Sequence, residues 1–178
     1  MLFFRSKLET WRERELLKET VSGTMLALLL IGMFMFVFCS QPVKAEAKTI
    51  YVDDDNTSGP WEGTLEDPYQ NITSAMQHTS VGDILYVCRG IYFESTVLNK
   101  SVLLIGESRE TTIIDSRGVG NVIEVSADNV TITGFTIRKS GVGLFNGGLV
   151  LTNGRNCNIL GNDITENLEG IRLSGSSH

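Results

Sequence analysis

The segment VIEVSADNVTITGFTI, residues 122–137, decides the fold because the chain repeats it in altered form. Its central part, NVTITG at 129–134, returns as NCNILG at 156–161, and an earlier copy, SVLLIG, stands at 101–106. A period of roughly 20–50 residues is typical of proteins that stack one structural unit on the next. The sequence therefore predicts a stack of similar coils.

Within each repeat, short strands alternate between inward and outward side chains, because the side-chain period of a strand is two. Aligned copies place equivalent apolar residues in inward ladders, about 4.8 Å apart from coil to coil. One coil cannot bury its apolar side alone, and stacking joins the coils into a continuous core. The first predicted ladder holds Val102, Val130 and Cys157, and the second holds Leu104, Ile132 and Ile159.

Glycine and asparagine mark the corners of the predicted coils. Gly106, Gly134 and Gly161 recur at one position, where a positive φ or a close approach of two backbones suits glycine. An antiparallel sandwich also uses short, evenly spaced strands, but it does not need the same corner glycine to recur, so the solenoid is favoured. The corner asparagines are interpreted as turn or stacking residues; they are Asn129, Asn153, Asn156, Asn158 and Asn162.

The 178-residue chain is acidic, with 15 Lys and Arg against 21 Asp and Glu and a formal net charge of −6. Binding to nucleic acid needs clustered Lys and Arg, and no basic stripe occurs, so we expect no nucleic-acid partner. Metal ions or neutral glycans suit such a surface better. Among the three cysteines, Cys88 and Cys157 follow the leader and could pair, although the repeat position of Cys157 favours a small buried hydrophobe.

Residues 1–47 form the predicted leader. Its apolar run, residues 24–39, follows a charged segment and is shorter than the ~20 residues that cross a bilayer comfortably. Ala45-Glu46-Ala47 is a signal-peptidase pattern, and the basic residues precede the apolar run. We therefore expect residues 48–178 to be exported, extracellular or at the cell surface, after cleavage of a signal peptide. An uncleaved membrane anchor through 24–39 is the alternative.

A strand predicted at 49–52 leads into three adjacent carboxylates, Asp53, Asp54 and Asp55. Adjacent carboxylates repel one another, and calcium, which prefers oxygen ligands, would relieve that repulsion. A solvated acidic turn is the alternative interpretation, since Asp is common in turns.

A short helix is predicted over residues 68–79, with Asp67 as N-cap and Pro68 at the first helical position. Its one weakly apolar face suits a helix that covers the open end of a solenoid. His78 lies on this helix, and a single histidine without a visible partner indicates a surface residue rather than a ligand.

Several stretches between residues 49 and 173 form one pattern: IYVDDD, GPWEGTLEDPYQNI, GDILYVCRGIYFES, KSVLLIGES, TTIID and NVIEVSADNVTITGFTI. Together they resemble the N-terminal part of archaeal and bacterial surface proteins similar to the NosD-type periplasmic copper-associated proteins of the pectin-lyase-like superfamily. The resemblance implies an all-β fold, a right-handed parallel β-helix. It also implies a function among copper-site assembly, polysaccharide binding and structural roles.

Lyases of this fold, by resemblance, use acidic residues for calcium and an arginine base, and hydrolases use clustered aspartates. The candidates here are Asp115, Asp163, Glu166, Glu169 and Arg172, of which Asp115, Asp163 and Arg172 are retained as site candidates. Asp115 and Asp163 stand about two coils apart, which predicts that they lie near each other along the axis. No catalytic motif surrounds them, so solvated outward side chains are the alternative. A copper site is disfavoured, because His78 and His178 are the only histidines.

Four Asn-x-Ser/Thr sequons are candidates for glycosylation in an exported chain, at Asn56, Asn71, Asn99 and Asn129.

The sequence favours an exported β-helix module, residues 48–178, that binds extended glycans or builds the envelope without catalysis. A polysaccharide lyase or hydrolase, and a copper-associated protein, are the alternatives. Polysaccharide or the cell envelope is the expected partner. The chain stops just after a coil begins, at residue 178. Open strand edges are normally covered, so we expect further coils or a partner protein over the C-terminal end.

Overall fold

The computed structural model describes residues 46–175, together with Met25 and Leu28. The chain divides into two units, Met1–Ala45 and Glu46–His178. The predicted leader, including its apolar run, therefore lies almost wholly outside the described residues. Among the residues that are described, no helix is both long enough and apolar enough to cross a membrane.

Residues 46–175 form thirteen short strands and one helix. In chain order these are β1 (Thr49–Val52), α1 (Ile72–Gln77), β2 (Ile84–Val87), β3 (Gly90–Tyr92), β4 (Thr96–Leu98), β5 (Leu103–Gly106), β6 (Thr112–Asp115), β7 (Ile123–Val125), β8 (Thr131–Thr133), β9 (Thr136–Arg138), β10 (Leu149–Thr152), β11 (Asn158–Leu160), β12 (Asp163–Thr165) and β13 (Ile171–Ser174).

The strands build three parallel sheets. The first runs β1-β2-β5-β8-β11, the second β3-β6-β9-β12 and the third β4-β7-β10-β13. The chain visits the three sheets in rotation, so it completes three turns between β2 and β11 and begins a fourth. Every pairing of named strands is parallel. This topology confirms the predicted all-β parallel β-helix.

The core is the inside of the three-sided coil. Leu104 pairs with Ile132, and Ile132 pairs with Ile159, as the repeat alignment predicted. Leu104 and Ile132 are buried, and each such side chain stabilises the fold by about 1.5–3 kcal/mol. Val102 and Val130 are also buried, and Cys157 packs against the core. Cys157 and Cys88 are both free thiols, so they do not form a disulfide.

The corner residues behave as predicted at most positions. Gly134 has φ of +83°, and a Cβ built on it would overlap the carbonyl oxygen of Gly106. A Cβ on Gly106 would likewise overlap the carbonyl oxygen of Gly134, so two backbones meet here without room for a side chain. Gly161 has φ of +60°. The left-handed turns at asparagine are found at Asn129, Asn153 and Asn156, whereas Asn158 lies in β11.

The helix starts later than predicted. Tyr69 runs alongside β1, since its N–H donates to the carbonyl of Tyr51 (2.9 Å) and its carbonyl accepts from the N–H of Asp53 (2.8 Å). That pairing keeps the chain extended where Asp67 was expected to cap a helix. Asn71 is the actual N-cap, and its side chain accepts from the Ser74 amide at 2.8 Å. The N-cap of α1 is therefore Asn71 rather than the predicted Asp67.

The last described turn exposes apolar side chains. Leu160 and Leu173 are each 59% exposed, and Ile171 is 50% exposed. A cover of further coils or a partner over this end stays a prediction.

Candidate functional site

Asp115 is a buried carboxylate that is held by groups of its own protein. Its side chain is 1% exposed, although it lies at the end of β6 on the outer side of the second sheet. One carboxylate oxygen accepts the amide N–H of Arg117 (2.9 Å), and the other meets Arg138 Nε (2.9 Å) and Lys139 Nζ (3.1 Å). Burial alone would raise the pKa of Asp115, but the hydrogen bonds from Arg117, Lys139 and Arg138 outweigh it and lower the pKa. Both oxygens are therefore engaged within the protein.

Asp163 and Arg172 do not join Asp115. Asp163 opens β12 opposite Thr136, whereas Asp115 ends β6 opposite Arg138, so the two carboxylates sit at opposite ends of strands in the same sheet. With one strand between them, they are separated by roughly 10 Å or more. This register does not support the expectation that they lie near each other. Arg172 belongs to β13 in the third sheet, where its guanidinium covers the Phe145 ring at 4.4 Å.

The three adjacent aspartates also act separately. Asp53 Oδ1 accepts the amide N–H of Asp55 (3.1 Å), and Asp54 Oδ2 accepts that of Ile91 in β3 (3.1 Å). Burial raises the pKa of Asp54 and outweighs the hydrogen bond from Ile91, which lowers that pKa. The charges of Asp55 and Asp53 raise the pKa further. Within the described part of the chain, no three His, Cys, Asp or Glu side chains are grouped to hold a metal ion. The calcium site stays a prediction that this geometry does not support.

The four sequon asparagines have different surroundings. Asn99 and Asn129 are exposed. The Asn56 side chain donates to Asp67 Oδ1 (3.1 Å) and to the Pro68 carbonyl (2.8 Å), so its amide nitrogen is engaged. Glycosylation at Asn56, Asn71, Asn99 and Asn129 stays a prediction.

A concave site lies instead at the start of the solenoid, between α1 and the loop that precedes it. We call it the N-terminal cleft; it has a volume of about 300 Å³. Its lining combines aromatic rings, amides and the hydroxyls of Tyr69 and Ser74, without a carboxylate, lysine or arginine. The lining residues are Pro60, Trp61, Tyr69, Gln70, Asn71, Ser74, Gln77 and His78.

Trp61 is the most unusual residue of the N-terminal cleft. Its φ is +59°, a conformation that costs a bulky L-residue about 1–3 kcal/mol. Its indole N–H donates to the Asn56 carbonyl (3.2 Å), and its ring leaves no room for a side chain on Gly59. The residue is nevertheless 40% exposed. A strained, fixed and partly exposed indole is suited to contact a ligand rather than to fill the core.

The opposite wall of the cleft is also fixed in position. The His78 ring stacks on Tyr69, with centroids 5.0 Å apart and planes 14° apart, and its Nδ1 lies 3.1 Å from the Ser74 carbonyl. A carbonyl can only accept, so Nδ1 carries the proton and donates. Asn71 uses its amide oxygen for the helix cap, which leaves its N–H donors for a ligand. The predicted surface position of His78 is confirmed.

The helix that carries these residues is held at both ends by charged side chains of the first turn. Glu94 accepts the amide N–H groups of Ile72 and Thr73, each at 2.8 Å, beyond the N-terminus of α1. Lys100 Nζ donates to the carbonyls of Met76 (3.0 Å) and Thr79 (2.6 Å) at the other end. The negative charge of Glu94 lies at the positive end of the helix dipole and the positive charge of Lys100 at its negative end, so both stabilise the helix. Glu94 and Lys100 are therefore positioning residues for the cleft.

Glu94→Gln is expected to loosen α1 and to destabilise the protein by about 1–2 kcal/mol, because an amide NH2 would face a helix N–H. Chemical denaturation of the full-length chain measures the loss. Glu66→Gln, in the exposed part of the preceding loop, is the matched control and should change stability by less than about 0.5 kcal/mol. Equal effects of the two substitutions would show that Glu94 does not hold the helix.

Sequence reasoning missed this cleft because Trp61 and its neighbours belong to a loop without periodicity. The available signal was a Gly-Pro-Trp sequence (59–61) shortly before a helix rich in amides and hydroxyls. Proline and glycine identified a turn, but nothing local indicated that the indole stays at the surface.

Among solved structures, the chain is similar to two pectin methylesterases. One is pectin methylesterase PemA from Erwinia chrysanthemi, with 16% identity, a TM-score of 0.46, and coverage of 61% of this chain and 42% of that one. The other is a pectin methylesterase in complex with hexasaccharide VII, with 17% identity, a TM-score of 0.49, and coverage of 71% and 46%. The chain thus spans less than half the length of either protein. The likeness carries no argument about activity, and the NosD-type relationship stays a prediction.

No family model matches the sequence, and no curated protein matches it.

Proposed function

We propose that this chain is an exported parallel β-helix module that binds neutral glycans without catalysis, through the N-terminal cleft. The observation that carries the proposal is the lining of that cleft: a partly exposed indole at Trp61 beside the amides of Gln70, Asn71 and Gln77, with no charged side chain. The coils behind it act as a rigid support.

The chemistry of the lining matches that of a sugar. A pyranose has an apolar face of C–H groups, which an indole ring covers well, and a rim of hydroxyls that both donate and accept. Amides offer a donor and an acceptor in one group, so Gln70, Asn71 and Gln77 suit that rim. A uronate or phosphate ligand would call for arginine or lysine, and neither lines the cleft.

The same surroundings favour binding over turnover. General acid–base catalysis needs a titratable group within hydrogen-bond reach of the reacting atom. In this lining the imidazole of His78 has no carboxylate, lysine or arginine beside it to serve as a second acid or base. Its Nδ1 donates to the Ser74 carbonyl, so Nε2 is the ring nitrogen that faces a ligand. Asp115, one of the acidic candidates from the sequence, has both oxygens engaged by its own protein.

The leader pattern within residues 1–47 supports export, and an exported cleft would be accessible to envelope polysaccharide. A purely structural envelope role is the competing proposal. It gives no reason for a strained and exposed tryptophan.

Trp61→Ala is expected to weaken glycan binding at least about tenfold, equivalent to about 1.4 kcal/mol, because the indole supplies most of the apolar contact. Calorimetric titration of the full-length chain with neutral cello-, manno- and xylo-oligosaccharides measures this. If the full-length chain is kept in solution with a detergent, that detergent should lack a sugar headgroup, since such a headgroup would compete for the cleft.

Phe145→Ala is the matched control for that experiment. Phe145 is also an exposed aromatic residue (67%), but it lies in the loop between β9 and β10, outside the cleft. The Phe145→Ala substitution should leave glycan binding unchanged, and Trp61→Phe should retain part of the glycan affinity. Absence of binding to all three oligosaccharide series, or equal losses in Trp61→Ala and Phe145→Ala, would overturn the proposed function.

A further inference from the structure

A second cleft lies on the other side of α1, with a volume of about 230 Å³. One wall is Thr73 and Gln77 of the helix, and the floor is Val97 of β4, whose side chain is 49% exposed. Ser95 and Asn99, on either side of β4, line it as well. The combination of an apolar floor with hydroxyl and amide groups repeats the chemistry of the N-terminal cleft.

The second cleft also presents no free charge. Lys100 is its single charged residue, and its ammonium group donates to the carbonyls of Met76 and Thr79. The ammonium group is thus committed to holding the helix. Like the first cleft, the second suits a neutral ligand with many hydroxyls rather than an anion.

Gln77 lines both clefts. Residues four apart lie on the same stripe of a helix, so Ser74 and His78 form the stripe beside the N-terminal cleft, and Thr73 and Gln77 form the stripe beside the second. The buried face of α1 holds Ile72, Ala75 and Met76. The helix is a ridge about 9 Å long between the two clefts, and Gln77 is the residue that their two linings share.

We propose that the two clefts are subsites of one site, which takes an extended neutral glycan crossing α1 at Gln77. The inference rests on the proposed function and adds the class of ligand to it: a linear chain of several sugar units rather than a monosaccharide or a short terminal group. Binding at one subsite raises the effective concentration of the same chain at the other, so affinity should increase with chain length until both clefts are filled.

The test is a length series, from disaccharide to hexasaccharide, of the oligosaccharides described above, titrated into the full-length chain. The protein should come from a host that does not attach N-glycans, because the sequon residues Asn71 and Asn99 line the two clefts. We expect the hexasaccharide to bind about tenfold or more tightly than the disaccharide. Asn99→Arg, which fills the second cleft with a long charged side chain, should reduce this ratio to about one.

Asn158→Arg is the matched control, since Asn158 is an exposed asparagine in β11; it should preserve the ratio. The melting temperature of each variant shows whether it folds. A ratio near one in the unsubstituted protein, or an unchanged ratio in folded Asn99→Arg, would overturn the two-subsite inference while leaving glycan binding in place. Lack of binding at every length would instead overturn the proposed function itself.

Discussion

Gly134→Ala is expected to destabilise the protein by about 3–5 kcal/mol, the sum of a strained backbone and an overlap that cannot relax. The φ of +83° disfavours any L side chain, and the added methyl would overlap the carbonyl oxygen of Gly106 in the neighbouring coil. That oxygen belongs to the backbone, so it can retreat only if the coils separate. Urea denaturation of the full-length chain measures the loss.

Gly118→Ala separates the two contributions. Gly118 has nearly the same φ, +81°, but no atom lies within 4 Å of a Cβ built there. It should lose only the backbone term, about 1–2 kcal/mol. Similar losses at Gly118 and Gly134 would mean that the meeting of two backbones at the corner does not contribute to the selection of glycine.

Asp115→Asn is expected to cost about 2–3 kcal/mol, because it removes the charge that Arg138 and Lys139 share. The two cations are partly exposed, which keeps the loss below that of a fully buried pair. Asp163→Asn is the matched control: Asp163 also meets an arginine in the structure, Arg109 at 3.7 Å, but both side chains are about half exposed. Such a surface pair is worth less than about 1 kcal/mol.

The pH dependence should follow from the lowered pKa of Asp115. Because the folded-state pKa lies below the unfolded one, the ionised carboxylate stabilises the fold at pH values above the unfolded pKa, about 3.9. That contribution is lost as the pH falls through the folded-state pKa. The free energy of unfolding should therefore decline less steeply below about pH 4 in Asp115→Asn than in the unsubstituted chain. Parallel curves for the two proteins would contradict the assignment.

The solenoid could be predicted because its information is periodic. The alignment of Leu104, Ile132 and Ile159 predicts both the inward ladder and the register, and the recurring glycine predicts the corner. Each of these depends on residues one coil apart, so a single sequence suffices.

The start of α1 and the acidic pair could not be predicted in the same way. Tyr69 adopts an extended conformation because β1 offers it hydrogen bonds. The local sequence from 67 to 71 does not indicate that β1 is the partner of Tyr69. The spacing of Asp115 and Asp163 identifies the sheet they share but not which end of a strand each occupies. The cleft at Trp61 depends on contacts between a loop and a helix, which have no period.

The attachment of α1 to the first turn has a consequence for how such a protein can evolve. Glu94 and Lys100, which hold the helix, both flank β4, and the helix packs against β1, β2 and β4. Coils added or deleted at the C-terminal end would change the length of the solenoid without disturbing the N-terminal cleft. Ligand recognition and solenoid length are thus separable traits in this architecture, and duplication of one coil at the far end would lengthen the solenoid while preserving what the N-terminal cleft binds.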